Sequence, residues 1–117
     1  MQLGLFVSFD GTLCASLSTD TAVKIFDVLS FDLTLMLRLR FQPGCAEWIS
    51  HKGEGNPRIA LCDQASSHVF IYSIHESTTD PIHTFSPHPN PVHTLKYNPV
   101  HETVISIDTK GVRFLTE

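Results

Sequence analysis

The stretch SFDGTLCASLSTDTAVKIFDV, running from Ser8 to Val28, decides how this chain is read. It holds two apolar runs of strand length, Leu13 to Leu17 and Val23 to Val28, bounded by Asp10-Gly11 and by Ser18-Thr19-Asp20. Asp and Ser side chains bond to nearby backbone groups, and Gly takes up angles that other residues avoid, so the stretch reads as strand, turn, strand. Its second strand recurs along the chain. VKIFDV begins at Val23, VFIYSI at Val69 and VRFLTE at Val112, at spacings of 46 and 43 residues. Each is preceded by a second matching strand: LCASLS from Leu13, IALCDQ from Ile59 and TVISID from Thr103. A repeat of roughly 40–45 residues built from short strands is the mark of small sheets arrayed side by side.

Further runs follow the same plan outward from this stretch. Leu3 to Phe9 precedes it, and Leu33 to Leu39 follows it after a break at Ser30. Cys45 to Ser50, Ile59 to Cys62, His68 to Ile74 and Ile82 to Phe85 make a second set; Val92 to Tyr97, Thr103 to Ile107 and Val112 to Leu115 make a third. A weak helical spacing over Leu33 to Leu39 reads better as a strand, and no other window keeps the 3.6-residue period of an amphipathic helix. The class is all-β.

Bulk properties bound the function. At 117 residues the chain is the size of one ordinary domain. Hydrophobic residues make up 42% and charged ones 17%, a balance that can bury a core. The net charge is -4, and the eight Lys and Arg residues form no run, which argues against direct binding of nucleic acid. Cys14, Cys45 and Cys62 are an odd number at wide spacing without a C-x-x-C pair, so reduced thiols are expected in preference to a disulfide framework or a zinc site. The first residues carry no basic region before their apolar run, which Asp10 and Gly11 interrupt, and no stretch reaches the length of a membrane span. A soluble, non-secreted protein is expected.

The Ser8 to Val28 unit resembles the WD-repeat consensus, with Phe26-Asp27 standing where that family usually has Trp-Asp. The resemblance implies a β-propeller and, within each blade, a hydrogen-bonded set of a turn Asp, a strand Ser or Thr, a loop His and the strand Trp. Ser16 and Asp20 match two of the four. Phe26 has no indole N–H, so packing must do more in this blade. The third unit supplies His88 and Asp108, with Leu115 in place of the aromatic; the second has Ser66 in place of the turn Asp and ends in Tyr72-Ser73. The architecture expected is a partial WD-repeat propeller of about two and a half blades of four-stranded antiparallel sheet. Residues 1–38 would be the first blade, 39–86 a degenerate second and 87–117 an incomplete third.

The run KIFDVLSFDLTLMLRLRFQPGCAEWI, from Lys24 to Ile49, is similar to the propeller of the WD-repeat cyclophilins, and the similarity extends to FIYSI at Phe70 and to Asn98-Pro99-Val100. That resemblance implies a nuclear, splicing-associated protein whose prolyl isomerase activity resides in a separate cyclophilin domain. For this chain it implies a protein-interaction scaffold, with splicing-complex components and the rest of its parent as partners. No catalytic residue, metal or cofactor is assigned to it.

Three other signals have plainer readings. SFDGTL at Ser8 comes within one residue of the haloacid-dehalogenase phosphatase signature, but Ser8 stands where that chemistry needs a nucleophilic Asp that also ligates magnesium. A hairpin turn is the better reading. His83, His88, His93 and His101 are spaced five, five and eight residues apart, and residues five apart on a strand point to opposite faces, so a metal site is not expected. Pro81 to His93 holds four of the seven prolines and reads as a connection between sheets in preference to a proline-rich ligand or a Ser86-Pro87 phosphorylation site. Trp48, the only tryptophan, is expected in the core of the second unit.

Overall fold

In a computed structural model the described residues are 2–8, 11–49, 58–65, 68–74, 81–85, 92, 94–98, 100, 103–108 and 111–116. They form eleven strands in three antiparallel sheets. The first sheet holds β1 (Gln2–Val7), β2 (Leu13–Ser18), β3 (Ala22–Asp27) and β4 (Asp32–Arg38); the second holds β5 (Pro43–Ile49), β6 (Arg58–Asp63), β7 (Val69–Ser73) and β8 (His83–Phe85). The third sheet holds β9 (Thr94–Asn98), β10 (Thr103–Ile107) and β11 (Val112–Thr116). Within each sheet every strand pairs with its neighbour in sequence, so each sheet is a meander.

Two-residue alternation decides how the sheets stack. Ala15 pairs with Ile25 and Leu17 with Val23, which itself pairs with Leu37, so these five side chains share one face of the first sheet. That face forms a continuous core with Ala46, Trp48, Ile59, Leu61 and Tyr72 of the second sheet. The second sheet's opposite face, with Ile49, Ala60, Cys62, Val69 and Ile71, packs against Val92, Leu95 and Val104. The middle sheet is therefore buried on both sides, which is why Ile59 to Cys62 is a run of four consecutive buried residues with no polar alternation. Each fully buried Leu or Ile in these seams contributes roughly 1.5–3 kcal/mol relative to exposure.

Polar ties cross the seam between the first two sheets. The Trp48 indole Nε1–H donates to the Phe6 carbonyl at 2.8 Å, and Gln42 Nε2 donates to the Ser18 carbonyl at 2.7 Å. The indole has both its apolar body and its N–H satisfied, so Trp48 is a core residue that also locks two sheets together.

The thiol expectation is corrected. Cys45 and Cys62 are partners in the β5–β6 register with Cα atoms 5.5 Å apart, and they are joined as a disulfide; Cys14 is free. The cysteine spacing does not reveal this pair, because antiparallel pairing brings together residues 17 apart in sequence.

Candidate functional site

The turns place most of the residues singled out in the sequence. Between β2 and β3 the loop has three residues, and Thr21 takes a left-handed backbone with φ 63°, the conformation such a loop needs at its last position. Asp20 organises this turn. Its Oδ1 accepts from the Ala22 backbone N–H at 3.1 Å and from the Ser18 hydroxyl. The hydroxyl partner is Ser18 and not Ser16, which lies mid-strand opposite Leu5 and Lys24, too far along β2 to reach the turn.

The Ser18 hydroxyl, followed by the Ala22 N–H, holds the Asp20 carboxyl below the ordinary aspartate range. Asp20 is nevertheless exposed to solvent. A carboxylate with a depressed pKa adds stability above the unfolded-state value, and that stability is lost as pH falls through the folded-state value. NMR titration should therefore find Asp20 protonating at lower pH than Asp20 in the urea-unfolded chain, and Ser18→Ala should move it back up. Coincident titrations would count against the turn geometry.

Asp27 closes the β3–β4 turn, its Oδ1 accepting from the N–H groups of Leu29 (2.9 Å) and Ser30 (3.3 Å). Asp108 does similar work after β10: it is buried, its Oδ1 accepts from Gly111 N–H at 2.8 Å, and its own N–H donates to the Gly111 carbonyl. The second sheet has a counterpart that its lack of a motif concealed. Asp63 Oδ1 accepts from Ala65 N–H at 2.9 Å, and Asp63 N–H donates to the His68 carbonyl, so Asp63 holds the turn of the unit in which Ser66 replaces the expected Asp. An Asp at the end of the second strand or just past it is the signal that marks both turns. His88 and Ser66 lie outside the described residues, as do Asp10, Ser86, Pro87, His93 and His101.

Ser8 is buried at the end of the β1–β2 hairpin, where its Oγ accepts from Leu13 N–H at 3.1 Å and its carbonyl accepts from Gly11 N–H. That is the chemistry of a turn residue. His83 is exposed and stacks on Phe85. Among the described residues no three His, Cys, Asp or Glu side chains come together as a metal site.

What the first sheet presents outward is largely apolar, with Ser16 and Lys24 among it. Opposite its buried face the register lines up Val7, Cys14, Phe26 and Leu33 in one row and Leu5, Ser16, Lys24 and Met36 in the next. Leu5 is 61% exposed and Val7 60%, and beyond them the β3–β4 loop holds out Leu29 at 83% and Phe31 at 85%. A cleft of about 480 Å³ opens here, lined by Val7, Cys14, Phe26, Asp27, Val28 and Phe31. Phe26 thus lies on the outer face and lines this cleft. A second face of different character lies between the last two sheets. There burial pushes the Glu47 carboxyl up, against the opposing pull of Lys96 and of the backbone N–H groups of Tyr97 and Trp48.

Stacked four-stranded meanders, one buried on both faces and the first open on its far side, are the geometry of blades in a radial array. A chain in the crystal structure of the Mitotic Checkpoint Complex superposes with a TM-score of 0.79 over 97% of this chain and 33% of its own length. The fold is a partial β-propeller. At 18% identity that likeness carries the architecture of the blades alone. By sequence the blades are similar to peptidyl-prolyl cis-trans isomerase CYP71 of Arabidopsis thaliana, 44% identical over 93% of this chain and 17% of the relative. They are also similar to human peptidylprolyl isomerase domain and WD repeat-containing protein 1, 36% identical over 91% of this chain and 16% of the relative. Peptidyl-prolyl cis-trans isomerase 9 of Schizosaccharomyces pombe is 30% identical over 96% of this chain and 18% of its own. The chain thus spans about a sixth of the length of the curated relatives it matches. No family model matches it.

Proposed function

We propose that this chain is a protein-interaction scaffold, the propeller portion of a spliceosome-associated, nuclear WD-repeat cyclophilin. The observation that carries the reading is the stack of blades in a sequence whose relatives' names join an isomerase to WD repeats, matched over only a sixth of their length. Blades hold their loops on a rigid frame, and loops on a rigid frame are where partners are recognised. The mechanism is recognition without bond chemistry: Asp20, Asp27, Asp63 and Asp108 shape turns, and apolar faces such as that around Phe26 and Phe31 supply contact area.

The isomerase named in the relatives is a second reading, in which the chain shares in prolyl isomerisation. Uncatalysed prolyl isomerisation takes tens to hundreds of seconds, so an acceleration is easily seen. The chain should leave that rate unchanged in a proline-peptide assay; measurable acceleration would favour the second reading. For the scaffold itself, the tagged chain expressed in cells should co-sediment with pre-mRNA splicing complexes. Recovery only in light fractions free of them would overturn the assignment.

A further inference from the structure

We propose that Cys45 and Cys62 form a reversible thiol–disulfide switch that sets how firmly β5 is held in the second blade. The two residues face each other across the β5–β6 pair, Cα to Cα 5.5 Å. A register shift between Pro43 and Cys45 brings them opposite. Gly44 leaves room beside it, because a Cβ there would lie a tight 3.3 Å from the Gln64 Cα. Cys62 is completely buried between the second and third blades, whereas Cys45 is only half-buried.

The bond is not needed to keep the strands together. The register continues from Ala46 opposite Leu61 to Ile49 opposite Arg58, and Ala46, Trp48, Ile59 and Leu61 are held in the core of the first seam. Reduction therefore loosens one end of β5 without dissolving the sheet. That end matters to the neighbours: Gln42, just before β5, accepts from Gln64 N–H and donates to the Ser18 carbonyl of the first blade, while Cys45 packs on the core shared with the third.

In the oxidising direction the Cys45 thiolate attacks a low-molecular-weight disulfide such as oxidised glutathione, forming a mixed disulfide and releasing one glutathione. The Cys62 thiolate then displaces the second glutathione. Two thiol protons pass to the released glutathione or to solvent, and one dithiol becomes one disulfide while the oxidant becomes two thiols.

The test equilibrates the native chain in a series of glutathione redox buffers, quenches by alkylation and maps the three cysteines by mass spectrometry. Cys45 and Cys62 should lose and regain alkylation together while Cys14 remains alkylated. The bond should form at least about tenfold more readily in the native chain than in urea, where the strands no longer hold the thiols together. Oxidation should also slow limited proteolysis within β5 and β6. Cys45→Ser should leave Cys62 unable to form the bond, and Cys62→Ser is the reciprocal variant should either fail to fold. Pairing that involves Cys14, disulfides between chains, or equal formation in native and unfolded chain would overturn the switch.

Discussion

Trp48→Ala should destabilise the chain by about 3–5 kcal/mol, the range for removing a large buried aromatic from a packed core. Two losses coincide at this position. The indole fills the seam between Ala15, Leu17 and Leu37 of the first blade and Ile59 and Leu61 of the second, and its N–H bonds to the Phe6 carbonyl. Trp48→Phe separates the two: the ring keeps much of its contact area, and the loss of the donor should cost about 1–3 kcal/mol. Chemical denaturation followed by far-ultraviolet circular dichroism measures both variants, the only tryptophan being the residue replaced. Because a domain's whole stability is typically about 5–15 kcal/mol, the Ala variant should lose a large fraction of it. A change below about 1 kcal/mol would mean that the first two blades do not pack together in solution.

The isolated chain should self-associate or be poorly soluble, and substituting its open face should release it. Val7 and Leu33 lie in one row of that face, on β1 and on the edge strand β4, and both are largely exposed. Val7→Lys with Leu33→Glu touches nothing in the buried seams, so strand content and unfolding midpoint should stay close to the parent's. Each apolar side chain buried on association contributes on the order of 1–2 kcal/mol, and 1.4 kcal/mol is a factor of ten in affinity. The pair should therefore weaken association by roughly a hundredfold, visible in light scattering as a shift toward monomer. A parent chain that is already a sharp, cooperatively unfolding monomer would contradict the open-face description and point to a small sandwich.

Much of the architecture is legible in the residues themselves. Turn chemistry at Ser18 to Asp20 and the Val-initiated repeat mark strand boundaries to within one or two residues, from β2 and β3 through to β10, because local meanders write their geometry locally. The start of β5 is read less fully: it begins at Pro43 and not at Cys45, since a proline can start a strand where its missing N–H is not needed. What depends on register is not legible. The Cys45–Cys62 pair, the reach of Trp48 to Phe6 and the choice of Ser18 over Ser16 each require knowing which residue stands opposite which. The turn role of Asp63 was hidden for a different reason. Three residues before the Val-initiated strand stands Ser66, whereas the Asp that bonds the loop ends the strand before it.

Burial of the middle blade on both faces bears on how such sequences diverge. A blade with one open side relies on its own internal polar contacts to hold its shape. One clamped between two neighbours has its outline imposed from outside, by Leu17, Ile25 and Leu37 on one flank and Val92, Leu95 and Val104 on the other. Substitutions that erase its signature, such as Tyr72-Ser73 where Trp-Asp is usual, then cost little so long as side-chain volume and apolarity are kept. The blade most securely placed in three dimensions is thus the one freest to drift beyond recognition in one.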